Sequence, residues 1–336
     1  MSATIHDVAK LAGVSIKTVS RVINGEHSVA PGTVRLVREA IAALDYHPNQ
    51  FARSLRTGAS DTIGVVVDSL SDPFFATIIS VAERRARAEG LDILVASTGA
   101  DVSRAPAQIA RLVRRRVRGL LVTPYGRESA AALPPDTAAV LIDRRGEGLE
   151  GFDSVTVDNE EGARTAVRHL IAQGHRDIAF LGSSFSFETV QARARGFRRT
   201  LEEAGIPVNE DWVAAAYGVG AAEAAARRML ALPRTPTAIF TATPMTGQGT
   251  FAALREAGRS DIALLVFGDF PMADMLTPAI TVVDQDPTGQ AEVAMDRLFA
   301  RIAGDESAPA NQVVPTRLIV RGSAELPPRR PARRRP

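Results

Sequence analysis

The sequence has no cysteine, and its 336 residues include only five histidines. The absence of cysteine excludes disulfide bonds, thiol nucleophiles and thiolate metal sites. The histidines are scattered and do not show the spacing of metal ligands, so we expect neither a metal site nor a cofactor. Thiol enzymes and disulfide-stabilised domains are therefore excluded as interpretations.

Long apolar runs are also missing. No segment could span a bilayer, and residues 1–10 include Asp7 and no apolar block like that of a secretory signal. We therefore expect a cytoplasmic protein that does not contact membranes. A chain of this length, with 45% hydrophobic and 23% charged residues, can bury a sizeable core and is long enough for two or three domains.

The formal net charge of +2 conceals a separation of charge along the chain. Residues 1–58 carry seven basic and four acidic residues, and residues 317–336 carry seven and one. The part between them has 26 basic and 33 acidic residues, a net charge of −7. A basic head on an acidic body is typical of a protein that contacts a polyanion at one end, although chance unevenness is the alternative.

From Thr62 onward, short apolar runs alternate with helical patterns, which predicts a doubly wound α/β body with parallel sheets. Strands are predicted at 63–67, 91–96, 119–123, 139–142, 155–157, 178–181, 238–241, 263–267 and 280–283. Helices are predicted at 74–89, 161–173, 189–204, 221–230, 247–257 and 288–302. Nine strands are many for one sheet, so we expect two similar lobes on either side of Asp158, with a ligand between them at the carboxyl ends of the strands.

Residues 1–47 show helical patterns without strands and form a predicted all-α head. Helices at 5–12 and 15–23 each gather apolar residues on one face, with Gly13 in the turn and Ser15 able to cap the second helix. This is the spacing of a helix-turn-helix. The outward positions of the second helix offer donors, hydroxyls and one apolar group for base edges, although a solvated helix face is the alternative. They are Ile16, Lys17, Thr18, Ser20 and Arg21.

Four runs in the head stand at the spacing of the lactose repressor (LacI/GalR) family, which the chain therefore resembles. They are Asp7-Val8-Ala9, Ala12-Gly13-Val14-Ser15, Thr18-Val19-Ser20-Arg21-Val22-Ile23-Asn24 and Tyr46-His47-Pro48-Asn49. The resemblance implies that Ile16 and Lys17 set operator specificity and that Arg21 contacts a base. It also implies phosphate contacts from Ser15, Thr18, Asn24 and Thr33. The chain departs from the family at Ala30, where a capping serine is usual, and at Val34, where arginine is frequent.

Residues 48–60 are predicted to form a hinge helix and linker. The run from Asn49 to Arg56 is too short to be a stable helix alone in water. The resemblance implies that it folds on the operator and pairs with its dimer partner in the minor groove, where Leu55 is wedged between base steps and Asn49 and Arg53 contact DNA. Such a wedge reads the deformability of the central step, whereas an ordinary apolar linker residue would not.

Residues 61–322 resemble the periplasmic sugar-binding fold, two lobes joined by three crossovers. The landmarks are Asp72-Pro73-Phe74-Phe75, Asp158-Asn159, Gly174-His175-Arg176, Arg193 before Gly196-Phe197, and residues 281–286. The resemblance implies an effector in the cleft, stacked on Phe75 and Tyr217 and gripped by Arg193. Further polar contacts are implied for Asp143, Thr189, Asp269 and Gln285. A sugar or sugar derivative is the effector that we expect.

Two departures affect this expected cleft. Thr243-Pro244 stands where many family members have Asn-Asp, and Gly268 replaces the first of two acidic residues before Phe270. Two acceptors for ligand hydroxyls are therefore missing. Either the effector is not a typical sugar, or its contacts have moved, or sensing has been lost.

The sequence thus predicts a repressor that binds double-stranded operator DNA as a homodimer on a pseudo-palindromic site, under control of a small-molecule effector. A Rossmann-like enzyme or a solute-binding protein could use the same body. No phosphate-binding Gly-Lys-Ser/Thr run or nucleophile elbow is present, so we expect no enzyme. Residues 323–336, rich in proline and arginine, are predicted to be a disordered tail.

Overall fold

The computed structural model of the chain describes residues 3–23, 29–46, 60–99 and 101–328. The chain divides into two compact units, Met1–Asp61 and Thr62–Pro336. Residues 48–59 of the expected hinge and residues 329–336 of the expected tail lie outside the described residues. What the sequence implies for those two segments therefore stays a prediction.

The first unit contains three helices, α1 (Ile5–Ala12), α2 (Ile16–Ile23) and α3 (Pro31–Ala43). α1 begins with a capping box, in which the Thr4 hydroxyl accepts the Asp7 N–H and the Asp7 carboxylate accepts the Thr4 N–H. It ends at Gly13, whose φ of 66° lies in the left-handed region that favours glycine. Apolar side chains of the three helices and the following turn share one core: Val8, Ala9, Val19, Val37, Ala40 and Tyr46.

The two later helices of this unit differ in how they begin. The Ser15 hydroxyl accepts the Thr18 N–H at 3.1 Å, which confirms the predicted cap of α2. Ala30 precedes α3 and has no side chain that could accept a hydrogen bond, although Pro31 suits the first helical position. The missing cap noted in the sequence therefore leaves the amino end of α3 without a side-chain acceptor.

The second unit contains two lobes, each built on a six-stranded sheet. The strands are β1 (Thr62–Val67), β2 (Asp92–Ser97), β3 (Gly119–Val122), β4 (Ala139–Ile142), β5 (Asp153–Val157), β6 (Ile178–Gly182), β7 (Val213–Ala215), β8 (Ala238–Thr241), β9 (Ala263–Phe267), β10 (Thr281–Asp284), β11 (Asn311–Val314) and β12 (Arg317–Ile319). Lobe 1 has the strand order β11-β5-β4-β3-β1-β2, and lobe 2 has the order β12-β10-β9-β8-β6-β7. Neighbouring strands are parallel except β10 and β12.

Helices flank both sheets. They are α4 (Pro73–Ala88), α5 (Ala105–Arg114), α6 (Gly126–Ala132), α7 (Asn159–Ala172), α8 (Glu188–Glu203), α9 (Val219–Leu230), α10 (Pro244–Glu256) and α11 (Pro287–Ile302). Among the described helices of the chain, none is long and apolar enough to cross a bilayer. Apolar clusters cover both faces of each sheet, as expected where the strands are nearly all parallel.

The chain crosses between the lobes three times, as the resemblance implied. It passes from β5 to α7, returns from β10 to α11, and crosses again from β11 to β12. α7 packs on α8 in lobe 2, whereas α11 packs on α4 in lobe 1. The predicted two-lobed, doubly wound architecture with an all-α head is confirmed.

Three strands were not predicted from the sequence: β7, β11 and β12. Each has only three or four residues and lies at the edge of its sheet. β11 exposes three of its four side chains. Because edge strands of this length need no continuous apolar run, the pattern that marks the central strands is absent from them.

The predicted start of the disordered tail at residue 323 was wrong. Ser323 and Ala324 are buried, and the Ser323 hydroxyl donates to the Leu264 carbonyl. The Leu326 carbonyl is hydrogen bonded to His175 Nε2 at 2.8 Å. The apolar side chains of Ala324 and Leu326 pack in lobe 2, so the folded body continues past the last strand into the proline-rich sequence.

Candidate functional site

The face of α2 that points away from the head core carries most of the residues predicted to read DNA. Val19 holds the helix in the core, while Ile16 is 41% exposed and Lys17 is also exposed. The hydroxyls of Ser15 and Thr18 are 2.9 Å apart. The remaining predicted contacts in the described part are half-buried: Ser20, Arg21 and Thr33. The helix therefore exposes one apolar and one cationic side chain, while its opposite face packs in the core of the head.

Four residues predicted to contact DNA lie outside the described residues: Asn24, Asn49, Arg53 and Leu55. Their roles rest on the sequence and on its family resemblance. They stay predictions.

A cavity lies between the lobes at the carboxyl ends of the strands, where open α/β sheets bind ligands. Six of the seven residues predicted to contact the effector line it: Phe75, Asp143, Thr189, Arg193, Tyr217 and Gln285. All of them are buried except Tyr217, which is 39% exposed. The cavity has a volume of about 40 Å³, enough for a few water molecules but not for a sugar ring. The structure therefore shows a closed cleft.

The seventh residue, Asp269, does not line this cavity but an adjoining pocket that also contains Pro73, so its effector contact stays a prediction. Its carboxylate accepts two hydrogen bonds from the Arg321 guanidinium, of 2.8 and 2.5 Å. One oxygen also accepts the N–H of Phe270. The family resemblance implied a cleft contact for Asp269, and in this structure the bidentate pair with Arg321 holds its side chain outside the cavity.

Arg193 extends from α8 into the cavity and binds residues at two crossovers between the lobes. Its Nε donates to Asn159 Oδ1 at 2.8 Å, where the chain enters lobe 2, and its Nη2 donates to Gln285 Oε1 at 2.9 Å, where the chain leaves it. Nη1 donates to the Ala242 carbonyl at 2.5 Å. The guanidinium carbon lies 3.8 Å from the centre of the Phe267 ring. Arg193 is therefore held by three neutral acceptors and an aromatic face.

Arg144, which was not predicted as a site residue, also lines the cavity. Its Nη2 donates to Asp68 Oδ2 at 2.5 Å, and its Nε donates to Asp143 Oδ2 at 3.1 Å. Its guanidinium carbon lies 5.0 Å from the ring centre of Tyr125 and 4.9 Å from that of Phe187. Phe187 directly precedes α8 in lobe 2, whereas the other partners belong to lobe 1. Arg144 therefore makes a contact between the two lobes.

Three carboxylates of lobe 1 face the cavity together with two guanidinium groups. Burial raises the pKa of Asp72 to about 6, and the charges of Asp143 and Asp68 act in the same direction. Burial also raises the pKa of Asp68, although Arg144 opposes this effect. Burial lowers the pKa of Arg193 to about 10, so this side chain stays protonated at neutral pH. Negative groups therefore outnumber positive ones in the cleft.

The sequence carried a signal for the three charged residues that were missed. Asp68 and Arg144 come within two positions of the carboxyl ends of β1 and β4, the sheet edge at which ligands are expected. Asp72 opens the Asp-Pro-Phe-Phe run, where it also caps α4 by accepting the Phe74 N–H at 3.0 Å. What the sequence could not show is which of these charged groups turn inward.

The two departures from the family lie against each other in the structure. A Cβ atom built at Gly268 would be 2.9 Å from Cγ of Pro244 and 2.8 Å from Nε2 of Gln285. Gly268 also has a φ of 93°, a conformation that side chains with a Cβ disfavour. The proline at 244 and the glycine at 268 are therefore coupled, because the proline ring occupies the space that an acidic side chain at 268 would need.

The chemistry of the cavity suits binding. No histidine or cysteine lies among the described residues that line it, and no group of three potential metal ligands occurs in the described part of the chain. The rings of Phe75, Phe187 and Tyr217 offer apolar faces to a flat ligand, and buried charged groups can orient it. The arrangement fits reversible recognition of a small molecule.

Comparison with known proteins finds similarity over both units. The family model described as bacterial regulatory proteins, lacI family, matches residues 4–49, and the periplasmic binding protein-like domain matches residues 167–324. The HTH-type transcriptional repressor PurR of Pectobacterium carotovorum subsp. carotovorum (strain PC1) is 34% identical, with 97% of this chain and 98% of that protein covered. The repressor of the same name from Glaesserella parasuis serovar 5 (strain SH0165) is 30% identical over 96% of this chain and 98% of its own.

Solved structures of transcriptional regulators are also similar to both units of the chain. The lac repressor dimer bound to operator and the anti-inducer ONPF aligns with a TM-score of 0.84 at 27% identity, covering 96% of this chain and 99% of that chain. The transcriptional regulator CelR in complex with cellobiose aligns with a TM-score of 0.68 at 29% identity, covering 96% and 99%. Both the helix-turn-helix unit and the lobed unit thus have counterparts in solved regulators.

Proposed function

Since the chain belongs to the lacI family of bacterial regulatory proteins, as a DNA-binding transcriptional repressor and not an enzyme, we propose that it acts as a homodimer on a pseudo-palindromic operator. A small-molecule effector bound between the lobes controls the affinity for that operator. The protein acts in the cytoplasm. The relatives named above are repressors, which supports repression as the mode of action.

On the DNA side, α2 lies in the major groove, with Ile16 and Lys17 selecting the base sequence and Arg21 contacting a base. Ser15, Thr18, Asn24 and Thr33 bind phosphates, and the hinge residues Asn49, Arg53 and Leu55 bind the minor groove. Two copies are needed because half-sites about one helical turn apart must be bound together. Ile16 and Lys17 are exposed on a helix whose opposite face is buried in the core of the head, which supports this assignment.

On the ligand side, the observation that carries the proposal is the position of Arg193. This buried guanidinium faces the cavity and is hydrogen bonded at two of the three crossovers between the lobes, through Asn159 and Gln285. An effector that takes over one of these hydrogen bonds acts directly on the segments about which the lobes can move. Its preference for one arrangement of the lobes then becomes a change in operator affinity.

The effector contacts that we propose are the residues lining the cavity: Phe75, Asp143, Thr189, Arg193, Tyr217 and Gln285. A sugar derivative remains the expected skeleton from the family resemblance. The cellobiose complex of the similar regulator CelR supports this choice of skeleton.

The test is binding of the purified full-length protein to genomic fragments at moderate salt, with random duplex as competitor. We expect retention of a few fragments, among them the region upstream of its own gene, and footprints of two half-sites related by a dyad. The variant Lys17→Ala should change which fragments are retained. Equal affinity for random and genomic duplex, whatever small molecule is supplied, would overturn the proposed function.

A further inference from the structure

Resting on the proposed function of the cleft, we infer that the effector is a small organic cation, with a protonated amine or amidine bound by Asp72 and Asp68. The body that carries the nitrogen is flat or apolar on one face, so that it packs against the aromatic side chains of the cleft. An amino sugar or an aromatic amidine has this chemistry. A neutral sugar, a sugar acid or an aromatic carboxylate does not.

The first argument is the balance of charge. Asp68, Asp72 and Asp143 face the cavity from lobe 1, while Arg144 and Arg193 provide the two positive charges. Arg144 is bound to both Asp68 and Asp143. Arg193 gives its hydrogen bonds to neutral acceptors. Asp72 therefore has no ion-pair partner within the described part of the chain, and it faces two further carboxylates.

The second argument is an unsatisfied acceptor. Asp68 Oδ1 is buried and accepts no hydrogen bond from the described residues. The neighbouring Tyr125 hydroxyl is hydrogen bonded to Thr98 at 2.9 Å, and it lowers the pKa of Asp68 without forming a hydrogen bond of normal geometry to Oδ1. A buried carboxylate oxygen without a donor is costly, and a ligand N–H would remove that cost. A carboxylate or phosphate on the ligand would increase it.

The third argument is that this cleft already holds a planar cation. The guanidinium of Arg144 lies between two carboxylates and beside the rings of Tyr125 and Phe187. Carboxylates combined with aromatic faces are the groups with which proteins recognise cationic nitrogen. Asp72 belongs to the same cavity, next to Phe75 and opposite Tyr217, so a ligand nitrogen there meets the same combination of groups.

The closed cavity of about 40 Å³ also indicates how the ligand enters. The lobes must separate, which draws Phe187 of lobe 2 away from Arg144 of lobe 1. A ligand cation bound at Asp72 and Asp68 can then attract the aromatic side chains of lobe 2, as the Arg144 guanidinium attracts Phe187 in the closed cleft. Recognition of the ligand and closure of the lobes therefore depend on the same group of side chains.

The experiment compares ligands that share a skeleton and differ in charge, by thermal shift of the full-length protein at neutral pH. One set is benzamidine, benzamide and benzoate, and the other is glucosamine, glucose and glucuronate, each at millimolar concentration. We expect at least one of the two cations to raise the unfolding midpoint, and its neutral and anionic counterparts to leave it unchanged. In Asp72→Asn the affinity for that cation should fall by about 10- to 100-fold.

Asp72→Asn and Asp72→Ser both retain an acceptor that can cap α4, so two folded variants are available. The matched control is Asp92→Asn, which removes an exposed carboxylate at the amino end of β2 that does not line the cavity, and it should leave the affinity unchanged. The inference is overturned if neither cation binds, if a neutral or anionic counterpart binds as tightly, or if both Asp72 variants retain the affinity. Specific operator binding, measured on the same preparations, shows separately whether the proposed function stands.

Discussion

The Arg144 guanidinium and the Asp68 carboxylate form an ion pair inside the cleft, with Nη2 and Oδ2 2.5 Å apart. Only 5% of each residue is exposed. Salt screens such a pair much less than a surface pair, and removal of one partner leaves a buried charge without compensation. Substitution of either partner is therefore expected to destabilise the folded protein.

We expect Arg144→Met to lower the free energy of unfolding by about 3–5 kcal/mol, because Asp68 and Asp143 both lose their cationic partner. Urea unfolding of the full-length protein measures this loss. Arg145→Met is the matched control: Arg145 is exposed, and its loss should change stability by less than about 0.5 kcal/mol. The double variant Asp68→Asn/Arg144→Met should lose less than the two single variants together. Equal stability of the Arg144 and Arg145 variants would contradict the assignment.

This pair also shows how far sequence reasoning reaches. The central strands, the crossovers and six of the positions that line the cavity followed from apolar runs and from family spacing. The sequence shows two adjacent arginines after β4, however, and nothing in their order distinguishes Arg144 from Arg145. The structure turns Arg144 inward and leaves Arg145 exposed, with Asp143 at a φ of 74° just before them. A single backbone dihedral of this kind is set by tertiary contacts and not by local sequence.

Asp269 illustrates a side chain whose partner the sequence does not reveal. The family resemblance implied that its side chain contacts a ligand in the cleft. Arg321 follows β12 more than fifty residues later in the chain, and its guanidinium binds the Asp269 carboxylate bidentately. A partner so distant in sequence could only be identified once the antiparallel pairing of β10 and β12 was known.

Asp72→Asn should stabilise the protein without ligand at neutral pH. The pKa of this carboxyl is about 6 in the folded protein, raised mainly by burial from an ordinary value of 3.8. The folded state therefore holds the Asp72 proton over a range in which the unfolded state has released it, and Asp72 makes folding less favourable as pH rises from about 4 to about 6. Above this range we expect the asparagine variant to gain about 1–3 kcal/mol.

The measurement is the difference in unfolding free energy between Asp72→Asn and the parent, followed from pH 4 to pH 7.5. The gain should be absent at the acidic end and should level off near neutral pH. Groups that titrate equally in both proteins cancel in this difference. A gain that is independent of pH would show that the ionisation of Asp72 is not its cause.

Leu55→Ala should weaken specific operator binding much more than non-specific binding. A leucine wedged between base steps contributes only where the DNA can be kinked, whereas phosphate contacts act on any sequence. Electrophoretic mobility or fluorescence anisotropy assays with operator and random duplexes measure both affinities. Leu36→Ala removes an exposed leucine of α3 and is the control. Equal losses on the two duplexes would exclude the wedge role.

Ala30→Ser should stabilise the head. Ala30 stands at the cap position of α3 with an extended ψ of 140°, which suits a capping serine, but it offers no side-chain acceptor. A serine hydroxyl there can accept one of the free N–H groups of the first turn, for a gain of about 1 kcal/mol. Hydrogen exchange of α3 in the full-length protein should slow by about fivefold. Unchanged exchange in α3 would mean that Pro31 already fixes this helix start.

Gly268→Asp should destabilise the protein instead of restoring the acidic position usual in the family. A Cβ atom at 268 would approach Pro244 to 2.9 Å and Gln285 to 2.8 Å at a φ of 93°, so backbone strain and overlap both oppose the substitution. We expect the free energy of unfolding in urea to fall by about 2–4 kcal/mol.

Gly258→Asp separates the two causes, because Gly258 also has a positive φ, of 63°, but has open space around it. If overlap with the proline ring dominates, Gly258→Asp is tolerated and Pro244→Ala reduces the cost at 268. A similar loss at both glycines would mean that the dihedral alone forbids the side chain, and that the coupling between Pro244 and Gly268 carries no energetic weight.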